Sequence, residues 1–192
     1  MKLSLKKFFN PLLTDKDTIH SYLPVYEQLI PTLTPSGRPI RILEVGIERG
    51  GSILAWALAL DSLVMGIDIN PPPVWLTGFQ NVQILKGDAY TEEAVKTLDG
   101  FPGWDIIIED GSHKPEHIMF VANNYMKLLR PGGALVIEDV PDETTLTQLQ
   151  KMPNVVVTTF DLRHKKKRWD DVIVVLQHVE EKPDMPSPLS PQ

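Results

Sequence analysis

Ile42-Leu43-Glu44-Val45-Gly46-Ile47-Glu48-Arg49-Gly50-Gly51-Ser52 is the stretch that decides the fold of this chain. It begins inside a short apolar, β-branched run, Ile40 to Val45, the pattern of a buried strand. It ends in a glycine turn, after which Ile53, Leu54, Ala57 and Leu58 recur at the spacing of a buried helix. Such a turn, feeding a helix N-terminus, faces backbone amides toward a ligand. A second strand-like run, Leu63 to Ile67, ends at Asp68, so the unit reads strand, glycine turn, helix, strand.

Downstream, strands are expected at Val82 to Leu85, Ile106 to Ile108 and Ala134 to Ile137, with helices near Thr91 to Leu98 and Pro115 to Leu129. Alternation of this kind predicts an α/β fold with a doubly wound, mostly parallel sheet. Val155 to Phe160 and Val172 to Leu176 are joined by a short charged connection and read as an antiparallel hairpin at the edge of a seven-stranded sheet. Upstream, Pro35 to Pro39 is a turn signal. Before it, Ile19, Leu23, Tyr26, Leu29 and Ile30 suggest one or two short helices, Pro24 opening the second. The expected organisation is a helical segment 1–38 that caps the cofactor pocket, the α/β domain 39–180, and a disordered proline-rich tail 181–192.

A length of 192 residues suits one domain with a real core. The net charge of −6 and scattered basic residues argue against a nucleic-acid partner and favour a small molecule. With no cysteine, any metal must use oxygen or imidazole ligands. Asn10, Pro11, Asp15 and Asp17 interrupt what would otherwise start like an export signal, and no apolar run reaches membrane-spanning length, so the cytoplasm is the expected compartment. The basic run His164 to Arg168 is expected to be a solvated hairpin tip.

The glycine turn has the pattern E-x-G-x-x-x-G-x-S, formed by Glu44, Gly46, Gly50 and Ser52, rather than the G-x-G-x-x-G of dinucleotide folds. Glu44 would repel a pyrophosphate and welcome an ammonium group. Asp68 is placed to accept from ribose hydroxyls, and Asp88-Ala89 ends the third strand facing the same crevice. Together with Arg130-Pro131-Gly132-Gly133, these residues resemble class I S-adenosylmethionine-dependent methyltransferases of Rossmann-like fold, over roughly Arg41 to Leu176. The resemblance implies S-adenosylmethionine as cofactor.

Glu109-Asp110-Gly111-Ser112-His113 closes the fourth strand and Glu138-Asp139 the fifth, at one edge of the sheet. Asp110, Glu138 and Asp139 would repel one another unless a cation lay between them, and three oxygen ligands favour a hard ion, magnesium first. His113, on the turn above, could take a proton from a substrate hydroxyl. The arrangement is similar to the metal-dependent sugar O-methyltransferases of the macrocin and mycinamicin type, and to the cephalosporin-hydroxylase-like branch. By that likeness Asp110, Glu138 and Asp139 are metal ligands and His113 the base. Thr14-Asp15-Lys16, His20, Tyr22 and Tyr26 also resemble the segment preceding the sheet in that group, the aromatics being expected to pack on the helix. A homo-oligomer is compatible with the likeness, as is a non-catalytic nucleotide-binding module or a hydroxylase-like metal enzyme. A dehydrogenase is disfavoured by the glycine spacing. Asn70-Pro71-Pro72-Pro73, similar to a motif of DNA-base amine methylation, follows the wrong strand for that role.

Overall fold

A computed structural model describes residues 3–10, 12–35 and 37–179; the proline-rich tail lies outside these. After a run of turns, α1 (Leu23–Leu33) opens with Pro24 in its first turn, where a missing N–H costs nothing. There follow β1 (Ile40–Val45), α2 (Gly51–Ala59), β2 (Ser62–Asp68), β3 (Val82–Lys86), α3 (Glu92–Asp99), β4 (Trp104–Glu109), α4 (Pro115–Tyr125), β5 (Leu129–Ile137), α5 (Glu143–Gln150), β6 (Val155–Asp161), α6 (Arg163–Lys166) and β7 (Val172–His178). The seven strands form one sheet in the order β3-β2-β1-β4-β5-β7-β6. The first five are parallel, whereas β7 runs antiparallel to both β5 and β6.

The β-branched and leucine-rich strands are apolar on both faces because helices cover both. On one side Ile40, Ile42, Val64, Ile106 and Ile108 pack under α1, α2 and the N-terminal Leu5 and Phe9. On the other, Leu43, Val45, Ile67, Ile107 and Leu135 pack against α3 and α4. Trp56 of α2 is fully buried, with the Phe9 and Tyr26 rings 4.8 Å and 4.9 Å from its own. The N-terminal segment is thus part of the core rather than an appendage.

Two elements depart from the sequence reading. α5 was not expected, because its ETTLTQLQ segment offers only Leu146 and Leu149 to a core; Asp142 caps it by accepting from the Thr145 amide at 2.7 Å. The His164–Arg168 run is not simply a solvated tip. It includes the end of α6, from which Lys166 Nζ donates to the carbonyls of Asp17, Thr18 and His20, tying the hairpin to the N-terminal segment. Among the described residues no helix is long and apolar enough to cross a membrane.

Candidate cofactor and cation site

Strand order changes direction between β1 and β4, and in doubly wound sheets such a switch point opens a crevice at the carboxyl ends of the strands. Here the crevice has two lobes. One, of about 270 Å³, is walled by Gly46, Asp68, Asn70, Ala89, Tyr90 and Ser112. The other, also about 270 Å³, is walled by Leu13, Thr14, Ser52, Asp110, His113 and Asp139. Gly46, Glu48, Asp110 and Gly111 belong to both, so the lobes adjoin.

Gly46 sits at a φ of +88°, and a Cβ there would stand 2.1 Å from the Asp110 carbonyl oxygen. Only glycine lets the β1 turn pass so close to the end of β4. A Cβ on Gly51 would likewise lie 2.4 Å from the Leu13 carbonyl oxygen, showing how tightly the N-terminal segment lies on the start of α2.

The predicted nucleoside residues divide. Asp68 lines the first lobe, its Oδ2 accepting from the Ile47 amide at 2.8 Å and its Oδ1 from the Asn70 amide at 2.8 Å. Ala89 lines it too, and its carbonyl accepts from Tyr125 Oη at 2.6 Å. Asp88 is exposed and accepts from the Tyr90 amide at 2.9 Å, an Asx turn that shapes the loop. Glu44 lies beneath the crevice, wholly buried and absent from the walls of both lobes. Its Oε2 accepts from Trp56 Nε1 at 3.0 Å, and its Oε1 lies 3.4 Å from Lys16 Nζ. The ammonium beside it in this structure is that of Lys16.

The acids of β4 and β5 gather at one edge, since these strands pair in parallel with Glu109 opposite Ile137. A cation does lie between two of them, the Lys16 ammonium. Lys16 is 1% exposed, and its Nζ donates to Asp110 Oδ2 and to Glu138 Oε2, each at 2.5 Å. Burial pushes its pKa down, but Asp110, Glu138 and Glu44 push it up further, so the net shift is well upward and the charge stays. Glu138 Oε1 accepts from Tyr26 Oη at 2.5 Å, leaving neither of its oxygens free. Asp139 Oδ1 accepts from Tyr22 Oη and lies 3.1 Å from His20 Nδ1. Its Oδ2 lies 3.8 Å from His113 Nε2. Burial raises the Asp139 carboxyl to about 7, against the hydrogen bond from Tyr22.

The residues that the structure brings together differ from the expected triad in one member. Among the described residues Asp110, His113 and Asp139 each bring a ligand atom within 4.8 Å of the others, and Glu138 is outside that set. Among the described residues no hydrogen bond is found to Asp110 Oδ1 or Asp139 Oδ2, so two carboxylate oxygens fit a hard divalent ion. His113 and Asp139 both adopt left-handed backbone conformations, φ +55° and +52°. Such strain in residues other than glycine concentrates at functional sites.

The sequence reading missed Lys16 as the partner of the acids and treated Tyr22 and Tyr26 as helix packing; both tyrosines are buried and hydrogen-bonded to the acids. Lys16 is the only lysine or arginine between Lys7 and Arg38, which was the available signal. The Asn70 to Pro73 stretch does follow β2, and Asn70 lines the first lobe.

A seven-stranded sheet of this order, with a glycine turn after β1 and an acid at the tip of β2, defines the class I S-adenosylmethionine-dependent methyltransferase fold. A family model described as a methyltransferase domain matches residues 43–140, and the chain belongs to that family. It is 29% identical over 136 residues to the 8-demethyl-8-alpha-L-rhamnosyl tetracenomycin-C 2'-O-methyltransferase of Streptomyces olivaceus, covering 66% of this chain and 35% of that protein. It is 29% identical over 149 residues to the demethylmacrocin O-methyltransferase of Streptomyces fradiae, covering 72% and 37%. The chain thus spans little more than a third of the length of these relatives. Among solved structures, the MycE methyltransferase of the mycinamycin biosynthetic pathway, in complex with Mg and SAH, superposes with a TM-score of 0.70 at 20% identity, over 97% of this chain and 57% of that one. An SAH-bound Podospora anserina methyltransferase, PaMTH1, gives a TM-score of 0.61 at 14% identity, over 92% and 86%.

Proposed function

We propose that the chain is an S-adenosylmethionine-dependent O-methyltransferase acting on a hydroxyl of a small molecule of the sugar or natural-product type, assisted by a divalent cation. The observation that carries this reading is the adjoining of the two lobes through Gly46 and Asp110, which puts a nucleoside-sized crevice beside Asp110, His113 and Asp139. The O-methyltransferase relatives and the SAH and Mg named with MycE support it.

S-adenosylmethionine supplies an electrophilic methyl group on a sulfonium, and a divalent cation lowers the pKa of a hydroxyl bound to it. Asp68, Gly46 and Ala89 would hold the nucleoside side, Ser52 and the Leu13–Thr14 backbone the opposite side. Asp110 and Asp139 would hold the cation. His113 Nε2 receives the acceptor's proton; it lies 3.8 Å from Asp139 Oδ2, the oxygen that would hold the cation, so base and cation would stand side by side. The N-terminal segment supplies one wall of the crevice through Leu13, Thr14 and Asp15. The negative net charge favours an uncharged or cationic acceptor over nucleic acid.

The test is transfer of labelled methyl from S-adenosylmethionine to a panel of sugars and catechols, with and without chelator. His113→Ala should lower turnover by about 10²–10⁴-fold, while calorimetry shows unchanged S-adenosylhomocysteine binding. Tight NAD binding with no S-adenosylhomocysteine binding would defeat the proposal.

A further inference from the structure

The buried lysine is the feature of the site that the proposed chemistry does not use. Its ammonium is enclosed by carboxylates of three different strands: Glu44 of β1, Asp110 at the end of β4 and Glu138 at the end of β5. The second oxygens of Glu44 and Glu138 are taken by Trp56 and Tyr26. The backbone carrying Lys16 is itself fixed, since the Tyr22 amide donates to the Lys16 carbonyl at 3.0 Å and Leu13 packs against Gly51. An ammonium and a divalent ion compete for the same oxygens, and two cations sharing this space would repel each other strongly.

We propose that the Lys16 ammonium is the resident cation between Asp110 and Glu138, so that Glu138 is not a metal ligand in this chain and a divalent ion is confined to the Asp139 side of the acid nest. This rests on the proposed function only in taking Asp110 and Asp139 as cation ligands. Lys16 acts as a positioning residue: it holds Oδ2 of Asp110, a residue that lines both lobes.

The experiment is titration of the full chain with Mn2+, followed by electron paramagnetic resonance, and it reads binding rather than turnover. Glu138→Gln should bind Mn2+ within about twofold of the unaltered chain, whereas Asp139→Asn should bind at least about tenfold more weakly. Lys16→Met should bind at least about tenfold more tightly, because Glu44 and Glu138 are then left without a counter-charge. Should that variant fail to fold, the unaltered chain still decides the matter. With lysine side chains labelled by 15N, one shielded ammonium resonance should persist, unchanged in its couplings to two carboxylates, under saturating Mg2+. Loss of that resonance on adding Mg2+ would overturn the proposal. So would a Glu138→Gln defect as large as that of Asp139→Asn, or a Lys16→Met variant with no gain. If the unaltered chain binds no Mn2+ but Lys16→Met does, the resident-cation assignment stands while the metal-assisted reading of the reaction falls.

Discussion

Glu109 ends β4 with its carboxyl fully buried, and Oε1 accepts from Tyr90 Oη at 2.9 Å. Burial pushes its pKa to about 8, the Tyr90 hydrogen bond opposing that rise. The native state therefore keeps a proton that the unfolded chain gives up near 4.5. Between those values the folded form binds more protons, so stability must fall as pH rises, by at most about 1.4 kcal/mol per pH unit from this group. Urea midpoints for the unaltered chain should decline from about pH 5 to about pH 8, and Glu109→Gln should flatten that decline. An equal slope in both proteins would show that Glu109 is ionised throughout.

At the scale of elements, the α6 latch joins two segments nearly 150 positions apart in sequence. Hydrogen bonds from a charged donor contribute about 1.5–3 kcal/mol, so Lys166→Met should speed amide exchange in residues 15–22 by at least about tenfold. Exchange in β1 and β4 should not change. The sequence reading located every strand, because Val- and Ile-rich runs separated by turn residues leave little choice, but it began β5 at Ala134 where the strand starts at Leu129. It also located the acids, since strand tips are read directly from strand ends. It could not see the contacts of Lys16, which reach 94 positions to Asp110 and 122 to Glu138 from a turn with no periodic pattern. Tyr22 and Tyr26 were ambiguous for another reason: their rings do pack in the core, and only the hydroxyls reach the acids.

For the molecule as a whole, charge is used differently at the two ends of the sheet. At the amino end, Asp105 is wholly buried, accepts from both terminal nitrogens of Arg38 at 2.8 Å and from the Arg41 amide at 2.7 Å, and is also bonded by Arg130 Nε. This clamp joins the loop before β1 to β4 and β5, far from the crevice. Asp105→Ala leaves two guanidinium groups without their acceptor and should lower unfolding free energy by about 3–5 kcal/mol, as read from denaturant titration. Affinity for S-adenosylhomocysteine should be unchanged in the variant that remains folded. A shift in that affinity would mean that the two ends are coupled. At the carboxyl end, by contrast, the acids are crowded together with fewer cations than carboxylates, an arrangement that costs stability and creates a place for chemistry.

The left-handed backbone at His113 and Asp139 has a further consequence. Glycine accepts that geometry without penalty, so His113→Gly should melt later than His113→Ala by the equivalent of about 1 kcal/mol, readable by calorimetry. A population of variants sorted for heat resistance alone would drift toward glycine at position 113, whereas at Asp139 the hydrogen bond from buried Tyr22 opposes that drift. With His113 as the base proposed above, it would grow sturdier and chemically silent together, and thermal selection on this scaffold would have to be paired with a screen for turnover.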